Sequence, residues 1–149
     1  MTKICTTLAQ SKKLKEIGID VNSCGMYYSF DYLLDEYEEN AEIIPQSEKG
    51  EHFSLFPDDM PCWSLNALMD ILPSEFVEVG KNSSTTYKID IRKKKFGENL
   101  NLYQIGYGCY TWHEDKGCTW SDMISSSEKR DLVDVVVEML EWLKKNDKI

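Results

Sequence analysis

A change of hydrophobic period along the second half of the chain most constrains what it can fold into. Tyr87-Lys88-Ile89-Asp90-Ile91-Arg92 alternates strictly, with Tyr87, Ile89 and Ile91 on one face. Leu100-Asn101-Leu102-Tyr103-Gln104-Ile105 alternates too, and Gly106-Tyr107-Gly108-Cys109-Tyr110-Thr111-Trp112 continues the run with small residues. A two-residue period belongs to strands with one buried and one wet face. Phe76, Val77 and Val79 form a β-prone run ahead of the turn cluster Asn82-Ser83-Ser84. Asp115-Lys116-Gly117 marks a tight turn, from which Cys118-Thr119-Trp120 returns as a short strand. These features predict an antiparallel meander.

The period then lengthens. Leu132, Val133, Val136, Met139, Leu140 and Leu143 form a wide apolar stripe, with Val135 and Trp142 at its edge. Ser125-Ser126-Ser127-Glu128 fits the S-x-x-E capping pattern. Lys144, Lys145 and Lys148 sit where a helix dipole favours cations. A helix over about 127–145 is expected.

The first half is less regular. Thr6 and Thr7 precede an amphipathic run closed by Gly18, which predicts a helix over about 7–17. Leu65, Leu68, Met69 and Leu72 share one helix face between Ser64, an N-cap type, and the helix-stopping Pro73. Met26 to Phe30 is aromatic-rich and strand-like, whereas Asp31–Glu39 could extend as an acidic helix. The expected architecture is α+β. An antiparallel sheet of three to five strands packs against a long C-terminal helix, with two short helices in the N-terminal half.

At 149 residues one domain, 1–149, is the expectation, with no need of a metal or disulfides to fold. No stretch approaches the length of a transmembrane helix, and the N-terminus lacks the apolar core of a secretory signal. The five cysteines, Cys5, Cys24, Cys62, Cys109 and Cys118, are odd in number and widely spaced, as expected of free thiols in the cytoplasm.

The net charge of -9 is localised. Residues 1–75 hold five basic and 14 acidic side chains, while the remainder holds 12 of each. Residues 31–59 alone carry ten acids and one base, Lys49. This balance disfavours direct nucleic-acid binding, which uses cations to neutralise phosphates, and docking on anionic membrane.

Four constellations bear on function. Cys109, His113 and Cys118 have a C-x3-H-x4-C spacing beside Glu114 and Asp115. They read either as zinc ligands or as a hairpin with half-buried thiols, and Cys109/His113 is the one local Cys–His pair for a small enzyme. No catalytic site, metal site or cofactor motif follows from them. The acidic segment, with Asp35, Glu36, Glu38, Glu39 and Glu42 as its candidate face, reads as a DNA-mimic decoy or as a solvated surface. Arg92-Lys93-Lys94-Lys95 reads as a phosphate contact or as protection of a strand edge. Finally, Tyr107, Tyr110, Trp112, His113 and Trp120 crowd one hairpin, with aromatics on both of its faces. One set fills the core and the other suits a partner surface.

The block Met60-Pro61-Cys62-Trp63-Ser64-Leu65-Asn66-Ala67-Leu68-Met69-Asp70-Ile71-Leu72-Pro73, the ending Val137–Asn146 and the opening Leu8–Gly18 resemble small uncharacterised proteins encoded by phages and mobile elements of gut bacteria. That resemblance implies a bacterial cytoplasm and an accessory role, and it transfers no active-site residue. The reading is therefore a protein-interaction module without catalysis. Its protein partner is unidentified, and its oligomeric state is left open.

Overall fold

The computed structural model describes residues 3–149. Thr7 opens the first helix, α1 (Leu8–Glu16), through a reciprocal cap. Its hydroxyl accepts from the Gln10 amide at 3.2 Å, and the Gln10 side chain accepts from the Thr7 amide at 2.9 Å. Gly18 takes a left-handed φ of 90° just past the helix end, as the sequence implies. The chain then forms β1 (Met26–Tyr28), β2 (Phe30–Asp31), β3 (Glu36–Tyr37) and β4 (Glu42–Ile43). The short helix α2 (His52–Leu55), β5 (Met60–Cys62) and α3 (Leu65–Ile71) follow. β1 lies between β4 and β5 in an antiparallel sheet, and β2 pairs with β3 in a separate hairpin. Pro61 is tolerated because β5 is an edge strand and needs fewer ladder donors. Ser64 caps α3 by accepting from the Ala67 amide at 3.2 Å.

Thr6 joins these elements. Its backbone carbonyl accepts from the Tyr28 hydroxyl at 2.7 Å. Its hydroxyl accepts from the Trp63 amide at 3.1 Å and pairs with the Ser11 hydroxyl at 2.8 Å. The Trp63 indole donates to the Ser23 hydroxyl at 2.9 Å. Leu14, Cys62, Trp63 and Leu68 are fully buried around this hub. Among the described residues every buried side-chain nitrogen and oxygen has a partner, which is what keeps their burial inexpensive.

The described residues divide into two units that part between Ile71 and Leu72. The second contains β6 (Glu75–Val79), β7 (Ser84–Phe96), β8 (Leu100–His113), β9 (Gly117–Ser125) and α4 (Leu132–Lys145). The four strands form an antiparallel meander in chain order. Phe76, Ile105 and Tyr107 are buried, and α4 packs on β8. The α+β class and the C-terminal helix are as expected.

Two elements differ from the sequence-based expectation. Residues 31–39 are not an acidic helix. The Asp31 carboxylate accepts from the amides of Leu33 and Leu34, at 2.9 and 3.2 Å, so the chain turns back. A short polar side chain that bonds its own backbone competes with helix in this way. The expected cap at Ser125–Glu128 is not made either. Ser125 ends β9, and Ser126 exchanges hydrogen bonds with Ile105, its amide to the carbonyl and its hydroxyl from the amide. Lys129 then bridges Tyr103, Glu128 pairs with Lys94, and the helix starts only at Leu132. The free edge of β8 claims this stretch before a helix can use it.

Candidate interaction surface

The alternation of β8 decides what each sheet face presents. Ile105 and Tyr107 point inward, and the Tyr107 hydroxyl donates to the Pro73 carbonyl at 2.7 Å. Burial pushes the Tyr107 phenol well above its ordinary range. The outward positions between and beside them are Gly106 and Gly108. These glycines leave room for groups that cross the outer face. A side chain at Gly106 would meet the Arg92 guanidinium at 2.6 Å and the Asp122 carboxylate at 2.8 Å. One at Gly108 would run into the Ser121 carbonyl and, at 2.9 Å, the Trp120 ring.

Arg92 is held from several sides. It donates to Asp90 at 2.6 Å, to Gln104 at 3.3 Å and to both carboxylate oxygens of Asp122. The fork-to-carboxylate geometry is the strong form of this pairing. Its effect holds the Asp122 carboxyl below the usual range. Asp122 also accepts from the Trp120 indole at 2.8 Å, and this fixes the ring plane. Tyr110 meets Trp120 edge-on, with centroids 5.2 Å apart and planes at 76°. Trp112 continues the same face toward the turn. Tyr110 and Trp112 are nevertheless 70% and 72% exposed, so Trp120 is held in place while its neighbours lie open to solvent.

The structure therefore sorts the aromatic candidates. Tyr110, Trp112 and Trp120 are brought together on one outer face, whereas Tyr107 lies in the core beside Phe76. His113 is exposed but belongs to the opposite strand parity, paired with Gly117. Cys118 pairs with Trp112 and so shares that outer face, while Cys109 and His113 share the other. Cys109 and His113 are also four positions apart on one strand, roughly 13 Å at about 3.3 Å per residue. Cys109, His113 and Cys118 are thus not brought together. Among the described residues no group of three or more His, Cys, Asp and Glu side chains is placed to hold a metal ion.

The acidic candidates lie in the first unit. Asp35, Glu36, Glu38, Glu39 and Glu42 are all exposed around the β2–β3 hairpin and β4. This segment is ordered by a tie with no clear sequence signal. His52 is buried, with Nδ1 3.0 Å from Glu48 and Nε2 2.9 Å from Asp59. Its ring lies 4.1 Å from that of Tyr27. Asp59 also accepts from the Phe30 amide at 3.0 Å, and Asp58 accepts from the Tyr32 hydroxyl at 2.6 Å. The two ends of the acidic stretch are thereby fastened to each other. Glu42 accepts from the Tyr27 hydroxyl at 2.7 Å, and that bond raises the phenol to about 12.

A cavity of about 300 Å³ adjoins His52 and reaches Cys24, Lys49 and Asp70. Burial pushes the Cys24 thiol up to about 11, so it stays protonated near neutral pH and offers no thiolate nucleophile. Both nitrogens of His52 already have carboxylate partners. The arrangement supplies a structural tie rather than a general base with a free nitrogen.

The chain matches no protein-family model, no curated protein and no solved structure. No helix among the described residues is long and apolar enough to cross a membrane.

Two outcomes are expected. Asp122 has a lowered folded-state pKa, so its stabilisation is present above the unfolded value of about 4 and is lost as pH falls through the folded value. Urea titrations of the wild type and Asp122→Asn should differ by up to about 1 kcal/mol at pH 7, the range of solvent-screened pairs. The curves should converge in acid. His52→Ala removes one hydrogen-bond partner of the buried Asp59 and should cost about 1–3 kcal/mol, the penalty for an unsatisfied buried group. Hydrogen exchange should show the loss first at the Phe30 amide.

Proposed function

We propose that this chain is a non-catalytic protein-interaction module whose contact surface is the outer face of the β8–β9 hairpin. One observation carries the reading: Tyr110 and Trp112 are largely exposed on a regular strand, beside a Trp120 ring fixed by Asp122 and Arg92. Exposed aromatics normally lose side-chain freedom when they bind. Here the Trp120 ring, held by Asp122 and Arg92, meets Tyr110 edge-on and restricts that side chain in advance. Trp and Tyr are also the residues that dominate binding energy at interface centres. Gln104, Asp90 and Arg92 border the aromatics with polar groups, as an interface rim does.

The resemblance of the Met60–Pro73 and Val137–Asn146 blocks to proteins of phages and mobile elements supports an accessory role in a bacterial cytoplasm. The DNA-mimic reading has less support. The apex of the acidic hairpin is Tyr32-Leu33-Leu34, three apolar side chains where a phosphate mimic would place charge. An enzyme using Cys109 and His113 lacks a base within hydrogen-bond reach of the thiol.

Affinity capture from a bacterial lysate tests the proposal, using the wild type and Tyr110→Ala/Trp112→Ala as parallel baits. Both side chains are exposed, so the double variant should keep its melting temperature within a few degrees. It should lose the proteins retained by the wild type, by tenfold or more in recovered amount, about 1.4 kcal/mol of binding. Equal recovery on both baits, with both folded, would contradict the proposed surface.

A further inference from the structure

We infer that this chain self-associates head to tail, the apolar acidic turn Tyr32–Asp35 of one copy docking on the basic end of the β7–β8 ribbon of a second copy. The inference is independent of the aromatic face. It starts from Leu33, which is 96% exposed, between the exposed Tyr32 and Leu34. This turn is built rather than slack. Asp31 holds its amides, Tyr32 donates to Asp58, and Phe30 packs edge-on against both Tyr32 and Tyr37 at 5.1 Å. Contiguous apolar side chains presented in this way mark an interaction site. Asp35, Glu36, Glu38 and Glu39 surround them and make no ion pair among the described residues.

The complementary surface is on the same chain. β6 pairs with β7 only as far as Lys88, and β9 pairs with β8 only from Gly106 onward. The far end of the ribbon, from Lys94 to Leu102, thus extends past β6 and β9, and beyond Tyr103, whose edge Lys129 covers. One face of β7 exposes Ile91 in line with Lys93 and Lys95, while Phe96 lies on the other face with Lys94. Lys94 is neutralised by Glu128, whereas Lys93 and Lys95 make no ion pair among the described residues. One unit therefore offers apolar side chains rimmed by free carboxylates. The other offers Ile91 in line with two free ammonium groups. Their contact would bury the apolar groups of both and pair their charges. Its two sides are different surfaces, so the contact is heterologous and each copy keeps one unused half. Local opposite charges within a Debye length can overcome the repulsion expected from a net charge of -9 on each copy.

Sedimentation velocity of the full chain, as a function of concentration at low and high salt, tests this. At low salt the weight-average mass should rise with concentration, and added salt should return it to the monomer. Lys93→Glu/Lys95→Glu and Leu33→Ser/Leu34→Ser should each weaken association by about tenfold or more at unchanged melting temperature. Mixing these two variants should restore one intact contact and yield a species that stops at the dimer. A wild type that stays monomeric at low salt throughout would overturn the inference. So would association that ignores salt and both variants, or mixed variants that fail to pair.

Discussion

The outer surface of the second unit depends on the unequal two sides of β8. Large side chains at Ile105 and Tyr107 face inward, while glycines at 106 and 108 face outward. The inward pair gives α4 something to pack on. The outward pair opens a channel in which the Arg92–Asp122 pair and the Trp120 ring can lie against the backbone. Any side chain in that channel would displace one or the other. The glycines weaken β8 as a strand, since they add backbone entropy to the unfolded chain. The close approach they permit is what holds the aromatic surface in place.

A second constraint shapes the first unit. The acidic stretch would repel itself as an isolated loop, because it holds ten carboxylates and a single lysine. His52 links Glu48 and Asp59 from inside, and Asp59 passes the tie on to the Phe30 backbone. Paired and hydrogen-bonded, these buried groups become tolerable. The carboxylates left outside are then displayed on a defined hairpin.

The sequence made some of this legible and not the rest, for physical reasons. Strict alternation at Tyr87–Arg92 and Leu100–Trp112 reports a two-faced strand directly, and the stripe from Leu132 to Leu143 reports a helix. Thr7 and Ser64 could be read as caps because capping is local. The cap at Ser125–Glu128 misleads because those residues pair with Ile105 and Lys94, some 20 to 35 positions away. Likewise the parity of Tyr107 and Tyr110 separates two faces, but not which one is buried. Burial is set by α4, which lies elsewhere in the chain. The His52 tie was hidden for the same reason. Glu48 lies one helical turn from it in sequence, but Asp59 and Phe30 meet it only through the fold. In the candidate surface, then, the residue types were readable and their grouping was not.

Gly108 makes room for the Trp120 ring against which the exposed Tyr110 packs. The most direct measurement is the ¹⁹F spectrum of the protein carrying 5-fluorotryptophan at its four tryptophans, Trp63, Trp112, Trp120 and Trp142, compared between the wild type and Gly108→Ala. The resonance of Trp120 should shift and broaden, and that of Trp63, in the other unit, should stay unchanged. An unmoved Trp120 resonance in a folded Gly108→Ala protein would contradict the account.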